Sequence, residues 1–216
     1  MTAPTGKFAL IIANGESCRF DLTQEFVQNA EKVIVLDGAM HRYQQLDLPA
    51  HVLLGDFDDD SHNQAALKEK FPQLEIVHAP DQEATDFEKG IWHAINQGYE
   101  HIVALWATGR RADHSFTNVA NLIRFPKHVR IELIDNHSLI YRLPKKFQKE
   151  FKKGAVVSLV PIGDVHGIRT ENLKYPLNNE SLHLGLRNGN SNEPITDGLV
   201  TISYESGEML LMECYD

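Results

Sequence analysis

The sequence has little cysteine and no long apolar run, and both absences exclude classes of protein. Its 216 residues include two cysteines, Cys18 and Cys214, at opposite ends and without the spacing of a metal site. We therefore expect two reduced, idle thiols in a cytoplasmic protein. The apolar run Phe8–Ala13 is far shorter than the ~20 residues of a transmembrane helix, and no signal peptide pattern opens the chain. The sequence therefore predicts no membrane partner.

An excess of basic charge is also missing. The chain has 21 Lys and Arg against 30 Asp and Glu, a formal charge of -9, so a nucleic-acid partner is not expected. The acidic excess is local. Residues 51–100 contain eleven acidic and three basic residues, whereas residues 101–150 contain four acidic and nine basic residues.

Several familiar catalytic motifs are absent. There is no Walker sequence and no Gly-x-Ser-x-Gly turn, and Asn14-Gly15-Glu16 is too short for a dinucleotide-binding turn. The eleven histidines do not recur at metal-ligand spacing, and His114 alone is singled out for a functional role. The chemistry must therefore be sought in other residues.

The first two-thirds of the chain alternates apolar, β-branched runs with helical stretches, which is typical of a mostly parallel, Rossmann-like α/β domain. We assign this domain to residues 1–136. The predicted strands are Phe8–Ala13, Val33–Asp37, His51–Gly55, Glu75–His78, His101–Trp106 and Arg130–Ile134. The predicted helices are Thr23–Lys32, Ala39–Leu46, Asn63–Phe71, Asp86–Gln97 and Asp113–Phe125.

Residues 137–216 lack helical periodicity, and short alternating runs indicate a C-terminal antiparallel β-sandwich domain. The predicted strands are Ser138–Arg142, Ala155–Pro161, Ser181–Leu186, Leu199–Tyr204 and Glu208–Glu213. We interpret the basic stretch Lys145–Lys153 as a solvated connection, with phosphate binding as the alternative.

Carboxylates follow three successive strands of the predicted parallel sheet. Asp37 ends the second strand, Asp56 and Asp58 follow the third, and Asp86 closes the loop after the fourth. Ligands bind at the carboxyl ends of such strands, and one or two carboxylates with phosphate oxygens suit Mg²⁺. If the segment stays extended, Asp56 and Asp58 point the same way. The alternative for each aspartate alone is a turn or helix cap.

The next loop, Ala107–His114, reverses the sign of the charge. It contains a glycine and two arginines, and it opens a helix, which together form a suitable site for an anion. A metal and a polyphosphate would then lie side by side. The alternative is that Arg111 and Asp113 only pair with each other or cap the helix.

Four motifs in this order resemble the thiamine pyrophosphokinase family over nearly the whole chain. They are Asp-Gly-Ala after the second strand, Gly-Asp-Phe-Asp after the third, the segment DQEATDFEKG, and the turn at Gly109–His114. The likeness continues through Ser158–Pro161, Asn172–Leu177 and Gly189–Asn192. The resemblance implies transfer of the pyrophosphoryl group of ATP to the hydroxyl of thiamine, which gives thiamine diphosphate and AMP.

The resemblance also implies site residues and a homodimer whose active sites are shared between subunits. Residues 1–136 would bind ATP and magnesium, and residues 137–216 would bind thiamine. The implied residues are Asp56, Asp58 and Asp86 for metal and catalysis, Asp37, Gln82, Thr85, Lys89, Arg111 and Asp113 for ATP, and Tyr175, Ser191 and Asn192 for thiamine. Two positions depart from the family pattern. Arg110 replaces a glycine, and its side chain would either crowd the phosphate loop or add a contact to it. Tyr175 replaces a tryptophan but can still stack on a ring of thiamine.

The expected mechanism is transfer of a phosphoryl-type group by positioning and charge neutralisation. Asp58 or Asp86 would accept the proton of the attacking alcohol. Two other functions remain open from the residues alone: a metal-dependent nucleotide phosphohydrolase, and a non-catalytic sensor of thiamine or nucleotide.

Overall fold

The computed structural model of the protein describes residues 2–57 and 64–215. The chain divides into two compact units, Met1–Asn136 and His137–Asp216. No helix within the described residues has the length and apolarity needed to span a membrane.

A six-stranded parallel sheet forms the frame of the first unit, as the sequence predicts. Its strands are β1 (Ala9–Ile12), β2 (Lys32–Leu36), β3 (Val52–Gly55), β4 (Glu75–His78), β5 (His101–Leu105) and β6 (Arg130–Ile134). The spatial order is β4-β3-β2-β1-β5-β6. Strands β1 and β3 are buried throughout, which explains their unbroken apolar sequences.

Five α-helices connect these strands. They are α1 (Phe20–Asn29), α2 (Asp37–Tyr43), α3 (Gln64–Lys70), α4 (Asp86–Asn96) and α5 (Ala112–Ala120), with short 3-10 helices at Gln44–Leu46 and Asn121–Arg124. The sequence predicts all five helices, but their first and last residues differ from the predicted ones. Asp37 begins α2 instead of ending β2, a position at which the helix dipole favours a carboxylate. Helix α5 ends five residues before the predicted Phe125 because the chain tightens there into a 3-10 turn.

The second unit consists of antiparallel strands arranged as a β-sandwich. They are β7 (Ser138–Arg142), β8 (Lys146–Phe151), β9 (Val156–Glu171), β10 (Asn178–His183), β11 (Gly189–Asn192), β12 (Gly198–Ser203) and β13 (Ser206–Cys214). Buried side chains such as Leu159, Ile168, Val200, Ile202 and Leu211 form its core. The antiparallel sandwich expected from the sequence is therefore confirmed.

Strand β9 is much longer than the predicted Ala155–Pro161. Its first part pairs with β13 from Val156 to Ile162 and again, after a register shift, at His166, and its second part pairs with β10 and β12. Glycine usually weakens or ends a strand. Here Gly163 and Gly167 adopt positive φ angles of 79° and 69°, and the chain nevertheless continues as β9. A single strand thereby serves both layers of the sandwich.

The interpretation of Lys145–Lys153 as a solvated connection was wrong. Residues Lys146–Phe151 form β8, which pairs with β12 along six residues. Every second side chain is half-buried, including Phe147 and Phe151, which pack against the core. The high charge of this segment concealed the alternation, because Lys149 lies on the half-buried face and reaches Glu213 with its ammonium group 2.5 Å from Oε1.

Candidate active site

A cleft of about 360 Å³ lies within the first unit, where the strand order changes direction. Strand β1 has β2 on one side and β5 on the other, so the connections from β1 and β5 leave the sheet in opposite directions. Such a switch point is where open α/β sheets bind ligands. Six of the residues implied by the family resemblance line this cleft: Asp56, Gln82, Thr85, Asp86, Lys89 and Arg111.

The loops after β1 and β5 are joined by backbone hydrogen bonds. The amide of Gly15 donates to the Trp106 carbonyl at 2.6 Å, and the amide of Glu16 donates to the Thr108 carbonyl at 2.7 Å. A Cβ on Gly15 would collide with both carbonyl oxygens, so glycine alone fits there. Asn14 and Gly15 both line the cleft. Because these two residues directly follow a buried strand, their place in the sequence could have identified them as cleft residues.

Asp37 links the ends of two strands. It is largely buried, and its Oδ2 accepts a hydrogen bond from the Phe57 amide at 3.1 Å. Gly55, at the end of β3, leaves no room for a Cβ beside the Asp37 side chain. Among the described residues, the cleft lining includes Asp56 but neither Asp37 nor Asp113. Asp37 therefore lies at the edge of the candidate site and fixes the loop that carries Asp56.

Asp56 is held by the loop after β4. Its backbone carbonyl lies 3.1 Å from Nε2 of His78, and its carboxylate accepts a hydrogen bond from Gln82 at 3.4 Å. The Phe57 ring stacks on His78 with centroids 6.2 Å apart. Phe57 has a φ of 54°, so the backbone is not extended there, and the condition for placing Asp56 and Asp58 on the same side is not met. Asp58 itself lies outside the described residues.

Asp86 is the first residue of α4 and is half-buried. Burial raises the pKa of its carboxyl, the hydrogen bond and charge of Lys89 oppose this rise, and the charges of Asp56 and Asp37 add to it. Lys89 Nζ lies 3.3 Å from Asp86 Oδ1. Burial is the largest of these effects, and each effect of Lys89 exceeds the repulsion from either aspartate.

A capping box opens helix α4. Thr85 Oγ1 accepts a hydrogen bond from the Glu88 amide at 3.3 Å, and Glu88 Oε2 accepts one from the Thr85 amide at 3.1 Å. Arg124 also contacts the buried Glu88 carboxylate. This network fixes the helical turn on which Asp86 and Lys89 lie.

Arg111 and Asp113 form the pair that the sequence left as an alternative. Arg111 donates to Asp113 through Nε at 3.1 Å and through Nη2 at 2.5 Å. The hydrogen bonds from Arg111 lower the pKa of Asp113 to about 2. Because a guanidinium has five N–H groups, three of those on Arg111 remain for another acceptor. The pairing is therefore compatible with an anion-binding role, and His114 lines the same cleft.

Arg42 was missed by the sequence reasoning. It donates to Ser17 Oγ at 2.6 Å, to the Gly15 carbonyl at 2.8 Å and to Asn14 Oδ1 at 3.0 Å. Its guanidinium lies 5.0 Å from the centre of the Trp106 ring, a cation–π contact. It follows Asp-Gly-Ala by three residues on α2, and this helical spacing was the available signal.

The second unit brings together the three residues predicted to contact thiamine. The side chain of Asn192 accepts a hydrogen bond from the Tyr175 amide at 3.0 Å and donates to the Tyr175 carbonyl at 2.9 Å. Ser191 has a φ of 55°, and its amide donates to Ser158 Oγ at 2.9 Å. Asn192 is buried, whereas Tyr175 is 60% exposed. Asn192 thus holds the backbone of Tyr175 and leaves its ring accessible.

Within residues 2–57 and 64–215, no three His, Cys, Asp or Glu side chains are grouped closely enough to coordinate one metal ion. This does not test the predicted set, because Asp58 is outside that range. The donor chemistry of Asp56 and Asp86 does fit a hard divalent cation, since both are carboxylates that line one cleft and such cations prefer carboxylate oxygens.

Two family models match successive parts of the chain. One, described as thiamin pyrophosphokinase, catalytic domain, covers residues 23–134, which include the whole cleft apart from the loop after β1. The other, described as thiamin pyrophosphokinase, vitamin B1 binding domain, covers residues 144–209, which include Tyr175, Ser191 and Asn192.

Individual relatives give the same result. A thiamine pyrophosphokinase of Bacillus subtilis is 29% identical over 167 residues, with 75% of this chain and 77% of that protein covered. Thiamin pyrophosphokinase 1 of Caenorhabditis elegans is 26% identical over 202 residues, with 85% and 80% covered. The crystal structure of the Bacillus subtilis protein has a TM-score of 0.81 at 25% identity and covers 97% of this chain and 99% of its own.

The fold is also shared with more distant proteins, since the yeast thiamin pyrophosphokinase structure has a TM-score of 0.78 at 17% identity. The catalytic-domain match alone spans more than half of the 216 residues, and the vitamin-binding match follows it in the same chain. This chain therefore belongs to the thiamin pyrophosphokinase family.

Proposed function

We propose that this protein transfers the pyrophosphoryl group of ATP to the hydroxyl of thiamine and releases thiamine diphosphate and AMP. The observation that carries the proposal is the presence, in one chain, of both family domains, the first containing a cleft at the sheet's switch point. Acidic and basic side chains face each other in that cleft, as the transfer of a charged group requires. The comparisons favour neither a phosphohydrolase nor a non-catalytic sensor.

Magnesium is the proposed metal, with Asp56, Asp58 and Asp86 as the residues that would hold it. The fit rests on the two described carboxylates, which share the cleft, and the charge of Asp56 adds to the rise in the pKa of Asp86. When bound, Mg²⁺ would neutralise negative charge on the phosphate chain and on these carboxylates.

The remaining cleft residues would bind and orient the nucleotide. Arg111 keeps three N–H donors for phosphate oxygens, and Asp113 fixes the plane of its guanidinium. Lys89 supplies a second positive charge from α4. Gln82, Thr85 and Asp37 complete the proposed ATP-binding set. Orientation of this kind places the β-phosphorus for attack, which is where most of the rate arises in such transfers.

A carboxylate would accept the proton of the thiamine hydroxyl as its oxygen attacks the β-phosphorus. Asp58 and Asp86 are the two candidates for this base. Asp86 is half-buried beside other carboxylates, an environment that makes it a stronger proton acceptor than an exposed aspartate.

Thiamine would bind through Tyr175, Ser191 and Asn192 of the second unit. The exposed Tyr175 ring offers a face on which an aromatic heterocycle can stack, and the Asn192 side chain fixes the backbone beneath it. The positive charge of the thiamine ring also suits an acidic protein, here of formal charge -9.

We further propose a cytoplasmic homodimer with active sites shared between subunits. A mass near twice 24.4 kDa in light scattering is expected, and a mass near that of one chain would contradict the dimer.

One assay tests the reaction. The protein is incubated with ATP and Mg²⁺, with and without thiamine, and AMP and thiamine diphosphate are measured. The proposal expects AMP in amounts equal to thiamine diphosphate and only when thiamine is present. Phosphate release without thiamine would support a phosphohydrolase, and binding without turnover would support a sensor.

A further inference from the structure

Arg110 lies in the cleft in a strained backbone conformation. It follows Gly109 in the loop after β5, and both residues are left-handed, with φ angles of 58° for Arg110 and 78° for Gly109. A side chain at such a φ costs free energy that glycine would avoid. Strain of this kind concentrates at functional sites. The loop geometry therefore does not explain why an arginine, and not a glycine, occupies this position.

Arg110 forms no ion pair within the part of the chain that the structure describes. The other two cationic side chains with predicted roles each face a carboxylate, Lys89 with Asp86 and Arg111 with Asp113. Arg110 instead donates from Nη1 to two neutral oxygens of Asn14, Oδ1 at 3.1 Å and the carbonyl at 3.5 Å. Three of its five N–H groups remain for another acceptor.

A second guanidinium shares the same acceptor. Arg42 also donates to Asn14 Oδ1, at 3.0 Å, and its remaining hydrogen bonds go to Ser17 and Gly15, neither of which is charged. Burial and then the nearby charge of Arg110 lower the pKa of Arg42. Two arginines therefore repel each other across one amide oxygen at the switch point of the sheet. An anion in the cleft would relieve this repulsion.

We propose that Arg110 binds the phosphate chain of the nucleotide, as a second anion-binding side chain beside Arg111, while Asn14 and Arg42 position it. Phosphate oxygens match the planar donors of a guanidinium better than the base or the ribose does. The proposal deepens the function proposed above and rests on it for the identity of the nucleotide. Arg110 contacts the ligand in this scheme, whereas Arg42 acts through Asn14 and is a positioning residue.

The test measures binding without any acceptor substrate. Affinities of the protein for inorganic tripolyphosphate and for adenosine, both with Mg²⁺, are measured by calorimetry for the wild type and for Arg110→Gln, Arg110→Gly and Arg110→Lys. Loss of one charged hydrogen-bonding group should weaken tripolyphosphate binding about tenfold in the glutamine and glycine variants. Arg110→Lys should keep most of the affinity, and adenosine binding should not change.

The glycine variant separates binding from folding. Because glycine relaxes the positive φ at this position, Arg110→Gly should melt no lower than the wild type while it binds tripolyphosphate more weakly. Lys7→Gln is the control for net charge, since Lys7 is exposed and precedes β1 at the opposite end of the strand from the cleft. It should bind tripolyphosphate like the wild type.

Two results would overturn the proposal. One is tripolyphosphate affinity in Arg110→Gln equal to that of the wild type. The other is an equal loss of adenosine affinity, which would place Arg110 on the nucleoside. Neither result depends on thiamine, so this experiment can fail while the thiamine-dependent release of AMP succeeds, and the reverse.

Discussion

Asp56 is the residue at which catalysis and folding can best be separated. Its side chain has one weak described partner, Gln82 at 3.4 Å, and it adds to the repulsion felt by Asp86. Asp56→Asn keeps an acceptor for Gln82 and removes the charge. We expect kcat to fall about 100-fold or more, the loss typical of an electrostatic group that acts on developing charge. The free energy of unfolding should be unchanged or slightly higher, as measured by urea titration.

The matched control for this change is Asp81→Asn in the loop after β4. Asp81 is exposed, and its Oδ1 accepts a hydrogen bond from the Glu83 amide at 2.9 Å, within its own turn. It should retain wild-type kcat. If Asp56→Asn and Asp81→Asn are equally active, Asp56 has no part in the reaction.

Tyr175 tests the proposed thiamine contact. Its ring is exposed while its backbone is held by Asn192, so Tyr175→Ala removes a stacking surface without emptying the core. We expect KM for thiamine to rise about fivefold, from the loss of roughly 1 kcal/mol of aromatic contact, with KM for ATP unchanged. Tyr175→Trp should restore the wild-type value. An unchanged KM for thiamine in Tyr175→Ala would exclude the contact.

At the scale of elements, helix α4 depends on the capping box at its first turn. Thr85→Ala removes the hydroxyl that accepts from the Glu88 amide, which should cost about 1 kcal/mol of unfolding free energy and lower Tm by about 2–4 °C. Because Asp86 and Lys89 lie on this turn, kcat/KM should fall further than stability alone explains. Thr85→Ser keeps the hydroxyl and should restore both. A fall in Tm with wild-type kcat/KM would limit the cap to stability.

Most helices and strands could be predicted from local sequence patterns, but contacts between residues far apart in the chain could not. The capping box needs only residues 85–88, so it was visible in the sequence. Asn14 contacts Arg42, which lies 28 positions further along the chain, and Arg110, which lies 96 positions further along. Only the order of the strands brings these residues together. Strand β8 was missed for another reason, since its lysines outweighed the alternation of Phe147 and Phe151.

At the scale of the whole molecule, the charge of -9 conceals a local reversal of sign. The acidic stretch at residues 51–100 contributes Asp56 and Asp86 to the cleft, and the basic stretch that follows contributes Arg110 and Arg111. Both signs therefore meet in one unit within a net acidic chain. A polyanion can bind there because the field inside the cleft differs from that of the surface as a whole.

The pH dependence of stability should show a contribution from the buried Glu132 on β6. Burial alone would raise the pKa of Glu132, but hydrogen bonds from His101 at 2.9 Å and from Arg130 outweigh it and lower the pKa below the ordinary value of 4.5. A carboxyl with a lowered pKa in the folded state stabilises the protein at pH values above its unfolded pKa. This contribution is lost as the pH falls through the folded-state pKa.

Glu132→Gln should therefore unfold more easily than the wild type at pH 7, by about 1.5–3 kcal/mol, the range for hydrogen bonds to charged groups. The difference should shrink as the pH falls below about 4.5, where the carboxyl of the unfolded wild type gains a proton, and should vanish once the pH has fallen through the folded-state pKa. Glu69→Gln, an exposed glutamate on α3, is the control and should match the wild type at pH 7. Urea titrations from pH 7 to pH 3 measure the effect, and a difference that stays constant over this range would show that the ionised form of Glu132 contributes nothing.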